Sequence, residues 1–447
     1  MGKIYRRYLP EQDLLLPPSL RDWLPEGHLA HFVSDLVDAL NLSAIEAYYE
    51  AEERGYPPYH PRMMTKILVY GYCVGVFSSR KLQQRLQEDV GFRMLAAGNE
   101  PDFRTLSDFR KIHLSTLQGL FEQVLRMALE LGALQLGRVA MDGSKLKANA
   151  SKHKAMSYQR MKEEQQRLRQ EVRRLLQEAE RIDREEDARY GRTKHGEDLP
   201  AELQRREERL QRIGAAKRAL EERARQEAAE DNPQPPEPPT PSGQTRQKPP
   251  TAGAKPAAKD QYNFTDPESR IQKGPDGFLQ GYNAQIAVEP VLQLIVGQAV
   301  TEQANDKKQL LPMVAVVEEQ SGQKPAAVLA DSGYTSEANL KDMEERKVEA
   351  YLAVARDKHH PPAAPCRRGP LPKGATRTDG MRRKLQTKVG RAIYAARKAI
   401  VEPVFGQIKQ ARGFRQFLLR GLKKVQGEWA LVCLAHNVLK LHRAVCT

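Results

Sequence analysis

Three carboxylates of the sequence occupy positions from which they could bind a ligand or take part in catalysis. Asp142 ends the short β-like run Arg138 to Met141, and Asp331 ends the apolar run AAVLA. Ligands of mixed α/β sheets gather at such strand ends. Glu402 lies in a predicted helix. At 100° per residue, one face of that helix about 80° wide carries Glu402 together with Tyr394, Lys398, Phe405 and Lys409. We expect Glu402 to point inward from that face.

Two Asp and one Glu without His or Cys form a hard oxygen donor set that suits Mg²⁺ or Mn²⁺. Two such ions can activate a water or a 3′-hydroxyl and stabilise the leaving oxygen of a phosphodiester displacement. Each carboxylate alone has a plainer interpretation. An Asp after a strand often caps a turn, and Glu402 could simply pair with Lys398 four positions earlier. Asp306 is a further acidic candidate, for which a helix N-cap is the favoured interpretation.

The elements around these residues alternate in the manner of an α/β core. Predicted strands are YNAQIAVE, LQLIVGQAV, AAVLA and VEAYLAVAR, the first two as an antiparallel pair around Pro290. Predicted helices cover 307–320, 336–346 and the C-terminal stretches after residue 380. We therefore predict a mixed sheet with flanking helices, resembling ribonuclease H, from 136–155 and 261–447.

The remaining segments are predicted to lie outside this core. Residues 1–135 read as an all-helical N-terminal domain, with predicted helices over 26–42 and 62–77, one after Ser78 and Ser79, and a long one after Thr105. Residues 156–230 are dense in Glu, Arg, Gln and Leu, which predicts a long helical hairpin with a coiled-coil seam of Leu168, Val172, Leu175 and Leu176. The proline-rich residues 231–260 are predicted to be a disordered linker.

The charge is concentrated at one end of the chain. The net charge is +15, and residues 367–447 hold 19 Lys and Arg against 3 Asp and Glu, a difference of 16. Such a basic surface favours a polyphosphate partner, because neutralising phosphates releases counterions. The alternative is a merely soluble basic tail. Arg80, Lys81 and Arg85 near a predicted helix N-terminus suit DNA contact, although a solvated basic face is also common.

Several classes of protein are disfavoured. A run of about 18 apolar residues is missing, and the N-terminus lacks a signal-peptide pattern, so we expect a cytoplasmic protein acting near the nucleoid. The four cysteines are scattered and form no Cys-x-x-Cys pair, which disfavours zinc and disulfide scaffolds.

Four parts of the sequence carry a family resemblance. They are HPRMMTKILVYGYCVGVFSSRKL with PDFRTLSDFR, then VAMDGSKLKANASKH, then LADSGYTS, and finally YAARKAIVEPVFGQIKQARGFRQFLLRG. Together they resemble bacterial insertion-sequence DDE transposases, in the group with a Tyr, Arg, Glu, Lys signature. The first part looks like the N-terminal transposase domain, the second and third look like the first and second aspartate segments, and the last looks like the signature itself.

The resemblance implies a catalytic and metal-binding triad of Asp142, Asp331 and Glu402, with two Mg²⁺ or Mn²⁺ ions. Tyr394, Arg397 and Lys409 are implied signature companions. The signature expects three residues between Arg and Glu, whereas four follow Arg397, so that Lys398 holds the expected register. Which of the two contacts phosphate is left open.

The implied partners are double-stranded DNA, as element terminal inverted repeats and as target, and a second subunit in a synaptic homodimer. The hairpin is predicted to mediate that contact, with a plain spacer as the alternative. Two other functions are weighed against transposition. One is a non-catalytic DNA-binding or scaffold protein with a decayed nuclease fold, and the other is a nuclease without strand transfer.

Overall fold

The chain forms two compact units, and each is described separately. The computed structural model describes residues 19–50, 57–190, 201–231, 254–274, 277–354, 369, 371–372 and 374–446. One unit comprises residues 1–146 and 283–447, and the other comprises residues 147–282. Most of the predicted linker, residues 232–253, lies outside the described residues.

The N-terminal segment is helical, as predicted. Its described helices are α1 (Leu29–Ala39), α2 (Ser43–Glu50), α3 (Pro61–Cys73), α4 (Ser79–Glu88), α5 (Val90–Leu95), α6 (Phe103–Ile112) and α7 (Leu114–Glu130). The long helix predicted after Thr105 is in fact two, α6 and α7, which meet at His113. Asp102 caps α6 by accepting hydrogen bonds from the backbone of Arg104 and Thr105, so the helix starts earlier than Thr105.

The N-terminal helices pack on the C-terminal helix α14 (Leu422–Cys446), chiefly through α3 and α7. The approach to α7 is close, since a Cβ on Gly427 would lie 2.6 Å from the Leu114 side chain. The predicted boundary at residue 135 is therefore not a boundary between compact units, because burial of the long apolar face of α14 joins the two ends of the chain.

A mixed sheet carries the candidate site. Its strands are β1 (Arg138–Lys147), β4 (Arg270–Gly274), β5 (Gly277–Val288), β6 (Ile295–Thr301), β7 (Ala327–Ala330) and β8 (Glu349–Leu352). The order is β4-β5-β1-β7-β8, and β6 also pairs with β5. The β5–β6 pair is antiparallel, as predicted, while β1–β7 and β7–β8 are parallel. Predicted and observed architecture agree: a mixed α/β sheet of the ribonuclease-H-like type behind a helical N-terminus.

Helices cover this sheet and continue the chain between its strands. They are α10 (Leu310–Ser321), α11 (Glu337–Glu345), α12 (Arg377–Gln386) and α13 (Lys388–Gly406), with a π-turn at Gln407–Ala411. Both α10 and α14 pack on β6. A Cβ on Gly297 would lie 2.6 Å from the Val317 side chain, so β6 and α10 approach closely. Pro403 lies inside α13.

The second unit contains the two long helices of the insertion, α8 (Tyr158–Tyr190) and α9 (Ala201–Asp231). Their contact buries the residues Tyr158, Met161, Leu168, Ile213, Ala216 and Leu220. Of the predicted seam, Leu168 is buried but Leu176 is 40% exposed. The turn between the helices, residues 191–200, is outside the described residues.

Two short strands lie at the base of this insertion. They are β2 (Ala155–Ser157) and β3 (Gln261–Asn263), which pair antiparallel, so the chain leaves and returns at hydrogen-bonded neighbours. The first residues predicted as helix, from Met156, thus belong to β2. Among the described residues, no helix of the protein has the length and apolar character needed to cross a bilayer.

Candidate active site

Asp142 lies inside β1, which continues to Lys147, and not at the predicted end of the strand. The pairing of β1 with β7 covers only Arg138 to Ala140, so Asp142 still follows the paired segment. Its Oδ1 accepts a hydrogen bond from the Gly143 N–H at 2.8 Å, and its Oδ2 lies 3.4 Å from Arg397 Nη1. Burial raises the pKa of Asp142 to about 6, while Arg397 opposes and Asp331 adds to that rise.

Asp331 follows β7 directly, as predicted. Its Oδ1 accepts a hydrogen bond from the Gly333 N–H at 2.8 Å and so caps the tight 3-10 turn Ser332–Tyr334. Because β1 and β7 are parallel neighbours, both aspartates are delivered to the same edge of the sheet. Burial is the main cause of the raised pKa of Asp142, and repulsion from the Asp331 carboxylate adds to it. The parallel pairing thus brings both aspartates to one region of the sheet, and their joint role in metal binding stays a prediction.

Two cations from α13 and the π-turn approach β1 at this point. The Arg397 side chain is only 9% exposed and is hydrogen-bonded to Tyr394. Burial lowers the pKa of Arg397, but Asp142 and Tyr394 more than offset that effect, so the pKa is raised. Lys409 Nζ donates to Ser144 Oγ and, at 3.3 Å, to the Lys145 carbonyl. Burial lowers the pKa of Lys409, and Asp142 opposes that change. Of these two cations, Arg397 contacts the Asp142 carboxylate, whereas Lys409 contacts the neighbouring residues Ser144 and Lys145.

Glu402 and Lys398 are both exposed, so the predicted inward orientation of Glu402 is wrong. The buried face of α13 carries Arg397 and the apolar residues Ile400, Val401, Val404 and Phe405. Burying that apolar stripe turns the helix, and Arg397 rather than Lys398 comes to lie beside Asp142. Among the described residues, no ion pair or hydrogen bond joins Glu402 to the aspartates, and its catalytic role stays a prediction.

Asp306 is a third aspartate at the site, and it occupies the cap position expected from the sequence although its side chain does not cap the turn. It precedes the 3-10 turn Lys307–Gln309 but makes no capping hydrogen bond with its side chain. Its Oδ1 instead accepts from Asn283 Nδ2 at 2.6 Å and Gln285 Nε2 at 2.8 Å, and lies 3.5 Å from Lys145 Nζ. A signal was available, because polar residues at positions 283 and 285 share one face of an otherwise apolar strand.

The pKa values of two neighbouring side chains, Lys145 and Tyr334, are influenced by all three aspartates. Burial lowers the pKa of Lys145, and Asp306, Asp142 and Asp331 each oppose it. Burial raises the pKa of Tyr334 well above its usual value, and the same three carboxylates add to the rise. The three aspartates therefore form one electrostatic cluster.

The donor chemistry of this cluster fits a hard divalent cation. Asp142 and Asp331 supply carboxylate oxygens and repel each other, and a bound cation would relieve that repulsion. Within the described ranges, however, no group of three acidic, His or Cys side chains is spaced as a complete metal site. The pair Asp142 and Asp331 would hold the ion, and a third protein ligand is not in place.

The predicted DNA-contacting residues of the N-terminal segment lie on one short helix. Arg80, Lys81 and Arg85 are all exposed on α4, and Arg80 stacks over the Phe103 ring at 5.2 Å from its centroid. An exposed row of cations suits phosphate contact, but a solvated face has the same appearance. Their role stays a prediction.

A ribonuclease-H-like sheet with paired aspartates at adjacent parallel strands defines the class of metal-dependent nucleic-acid-processing enzymes. Two family models match the chain: "Transposase domain (DUF772)" over residues 18–112 and "Transposase DDE domain" over residues 246–438. The chain belongs to the insertion-sequence DDE transposases, which bind DNA and use divalent metal ions. Comparison with curated proteins and with solved structures gave no match. The second range includes Asp331 and Glu402, whereas Asp142 lies between the two ranges.

Proposed function

We propose that this transposase cuts DNA at the ends of its element and joins the freed 3′-hydroxyl to target DNA. The observation that carries the proposal is the convergence of Asp142 and Asp331 next to two cations, the buried Arg397 and the half-buried Lys409. Phosphoryl transfer needs acidic metal ligands and positive charge near the transferred phosphate, and both are present at one edge of the sheet.

The residues of the site take separate roles in this proposal. Asp142 and Asp331 hold Mg²⁺ or Mn²⁺, of which two ions would activate the attacking hydroxyl and stabilise the leaving oxygen. Arg397, oriented by Tyr394, keeps Asp142 ionised within its buried position. Lys409 faces the phosphate backbone. Glu402 lies in the signature segment inside the matched DDE range, and we assign it as the third carboxylate on that similarity.

The proposed partners are the terminal inverted repeats and the target DNA, held by two copies of the chain in a synaptic complex. The exposed cations of α4 would contact the repeats, since phosphates at a helix N-terminus also gain from its free amides. We propose that the protein acts on nucleoid DNA in the cytoplasm.

The direct test incubates the purified full-length protein with Mg²⁺, a duplex bearing the element end and a supercoiled target. Asp142→Asn, Asp331→Asn and Glu402→Gln should each reduce cleavage by at least about 100-fold, because each removes a charge used in the transition state. Binding of end DNA should persist. Glu345→Gln is the matched control, as Glu345 is an exposed helical glutamate that pairs with Lys341 on the surface of α11, and it should cleave normally.

The other candidate functions predict different products in the same assay. Wild-type protein that binds ends but never cleaves them would favour the scaffold function. Cleavage without joined product would favour a nuclease. Full activity of Asp331→Asn would reject the assignment of the site itself.

A further inference from the structure

Asp306 lies close to Gly143 and Gly333, whose N–H groups bind the two aspartates to which the proposed function assigns the metal. Its Oδ1 collects hydrogen bonds from Asn283 and Gln285 on β5 and lies within ion-pair distance of Lys145 on β1. The side chain is 22% exposed, so a largely buried charge is compensated by three donors from two strands. A carboxylate that merely capped the following turn would not make these contacts.

Asp306 lies close to the two glycines whose N–H groups donate hydrogen bonds to the catalytic aspartates. Asp142 accepts from the Gly143 N–H, and Asp331 accepts from the Gly333 N–H. A Cβ on Gly143 would lie 3.0 Å from Asp306 Oδ1, and a Cβ on Gly333 would lie 3.6 Å from Asp306 Oδ2. Asp306 therefore packs against the peptide that fixes each catalytic carboxylate.

A hydrogen-bond relay extends from Asp306 to the turn that follows Asp331. Gln285 donates its Nε2 to Asp306 and accepts from the Tyr334 hydroxyl with its Oε1. Because a carboxylate can only accept, Asp306 fixes the orientation of this amide, which leaves its oxygen facing Tyr334. Tyr334 ends the 3-10 turn that Asp331 caps. Loss of the acceptor at position 306 would free the amide to turn over and would leave the Tyr334 hydroxyl without its acceptor.

We infer that Asp306 is a positioning residue of the transposase site, which sets the spacing of Asp142 and Asp331 through Gly143, Gly333 and the Gln285–Tyr334 relay. The inference rests on the proposed function, since it concerns the geometry of that metal pair. It differs from a ligand role, because Asp306 Oδ1 already accepts from two amide donors and lies 3.5 Å from Lys145 Nζ. Outer-shell partners of metal ligands commonly contribute about 10- to 100-fold to metal affinity or activity.

The experiment compares Asp306→Ala with Asp306→Asn in full-length protein, measuring cleavage rate, KM for end DNA and the Mg²⁺ concentration at half-maximal rate. Ala should lower the rate about 10- to 100-fold with an unchanged KM, because only the site geometry is altered. Asn retains an acceptor oxygen of the same reach, so it should restore the rate to within about threefold of wild type. Gln285→Met, which removes the relay amide, should reproduce the Ala defect, and the double variant should be no worse than either.

The outcomes separate this inference from its competitors. An Asn variant as impaired as Ala, with a Mg²⁺ requirement raised more than tenfold, would make Asp306 a metal ligand and overturn the positioning role. Wild-type rates in both Ala and Gln285→Met would also overturn it. If Asp306→Ala fails to fold, Asp306→Asn and Gln285→Met decide alone, with Glu345→Gln as control. Inactive Asp331→Asn alongside fully active Asp306 variants rejects only the positioning role, whereas fully active Asp331→Asn rejects the proposed function.

Discussion

Replacing Arg397 with Met should change how the site binds metal as a function of pH. Arg397 Nη1 lies 3.4 Å from Asp142 Oδ2, and the two side chains are 9% and 24% exposed. Burial is the largest influence on Asp142 and raises its pKa to about 6, even though the guanidinium opposes that rise. Met has a similar reach without the charge, so the substitution removes the opposing influence and preserves the packing.

The size of the effect follows from the distance and the burial. An opposite charge this close commonly lowers a carboxyl pKa by about 1 to 3 units, and each unit corresponds to about 1.4 kcal/mol. Asp142 keeps some solvent exposure, which places the expected change at the lower end of that range. The pKa of Asp142 in the variant should therefore rise by about 1 to 2 units from its wild-type value.

The sign of the consequence depends on pH. A metal ligand must be deprotonated, so a higher pKa leaves Asp142 protonated, and unable to bind, over a wider range. At pH 6.5 the variant should bind Mg²⁺ about 10-fold more weakly than wild type. At pH 8.5 Asp142 is ionised in the wild type and in the variant. The variant should then bind Mg²⁺ at least as tightly, because the Arg397 guanidinium no longer repels the metal ion. The two affinity curves should cross.

Calorimetric titration of Mg²⁺ into full-length protein from pH 6.0 to 8.5 measures these curves. Arg377→Met is the matched control, since it also removes an arginine that is paired with a carboxylate. Arg377 lies 2.9 Å from Glu344, and the two side chains are 45% and 64% exposed, so this pair is far less buried than Arg397 with Asp142. That variant should follow the wild-type curve. If the pH below which Mg²⁺ affinity falls is unchanged or lower in Arg397→Met, the argument that Arg397 keeps Asp142 ionised is refuted.

Three further variants probe other parts of the structure. Gly143→Ala would place a Cβ 2.2 Å from Gln285 Nε2, and should lower the unfolding free energy by about 1–3 kcal/mol in thermal or denaturant melts and impair cleavage. Replacing residues 158–260 with Asn-Gly joins hydrogen-bonded neighbours in β2 and β3, and should yield a folded monomer by light scattering if the insertion mediates dimer contact. Lys81→Ala should reduce the slope of log affinity for end DNA against log salt by about 1.

Each of these expectations has an opposing result. A Gly143→Ala protein with wild-type melting and cleavage would show that the close approach of β5 to β1 is not required. An unchanged dimer after the loop replacement would make the insertion a spacer. A wild-type salt slope for Lys81→Ala would place the α4 cations away from DNA.

Much of the core was predictable because its elements are encoded locally. The apolar runs before Asp331 and around Pro290 have the length and composition of buried strands, and the structure has strands there, β7 and the β5–β6 pair. The parallel pairing of β1 with β7 then brings Asp142 to Asp331 by the usual geometry of such sheets.

The helix bearing Glu402 shows where periodicity stopped being sufficient. Tyr394, Lys398 and Glu402 do lie within one helix, whereas Lys409 lies in the π-turn beyond it, where the helical periodicity no longer holds. The periodicity also left open which face of the helix the fold would bury. The apolar stripe of α13 decided that question, and Arg397 became the buried cation. Asp306 was a candidate from the sequence, but the cap interpretation was preferred because the local pattern does not show the amides that β5 brings to its carboxylate.

The amino-acid sequence alone determined the family, the order of elements and the two aspartates, since motifs, propensities and strand ends are properties of neighbouring residues. Only the tertiary structure decided that Arg397 meets Asp142, that Glu402 is exposed, and that Asp306 backs both glycines. It also decided that the N-terminal helices share one compact unit with α14. These outcomes depend on which apolar faces are buried against each other across long separations in the chain, and no local pattern specifies that choice.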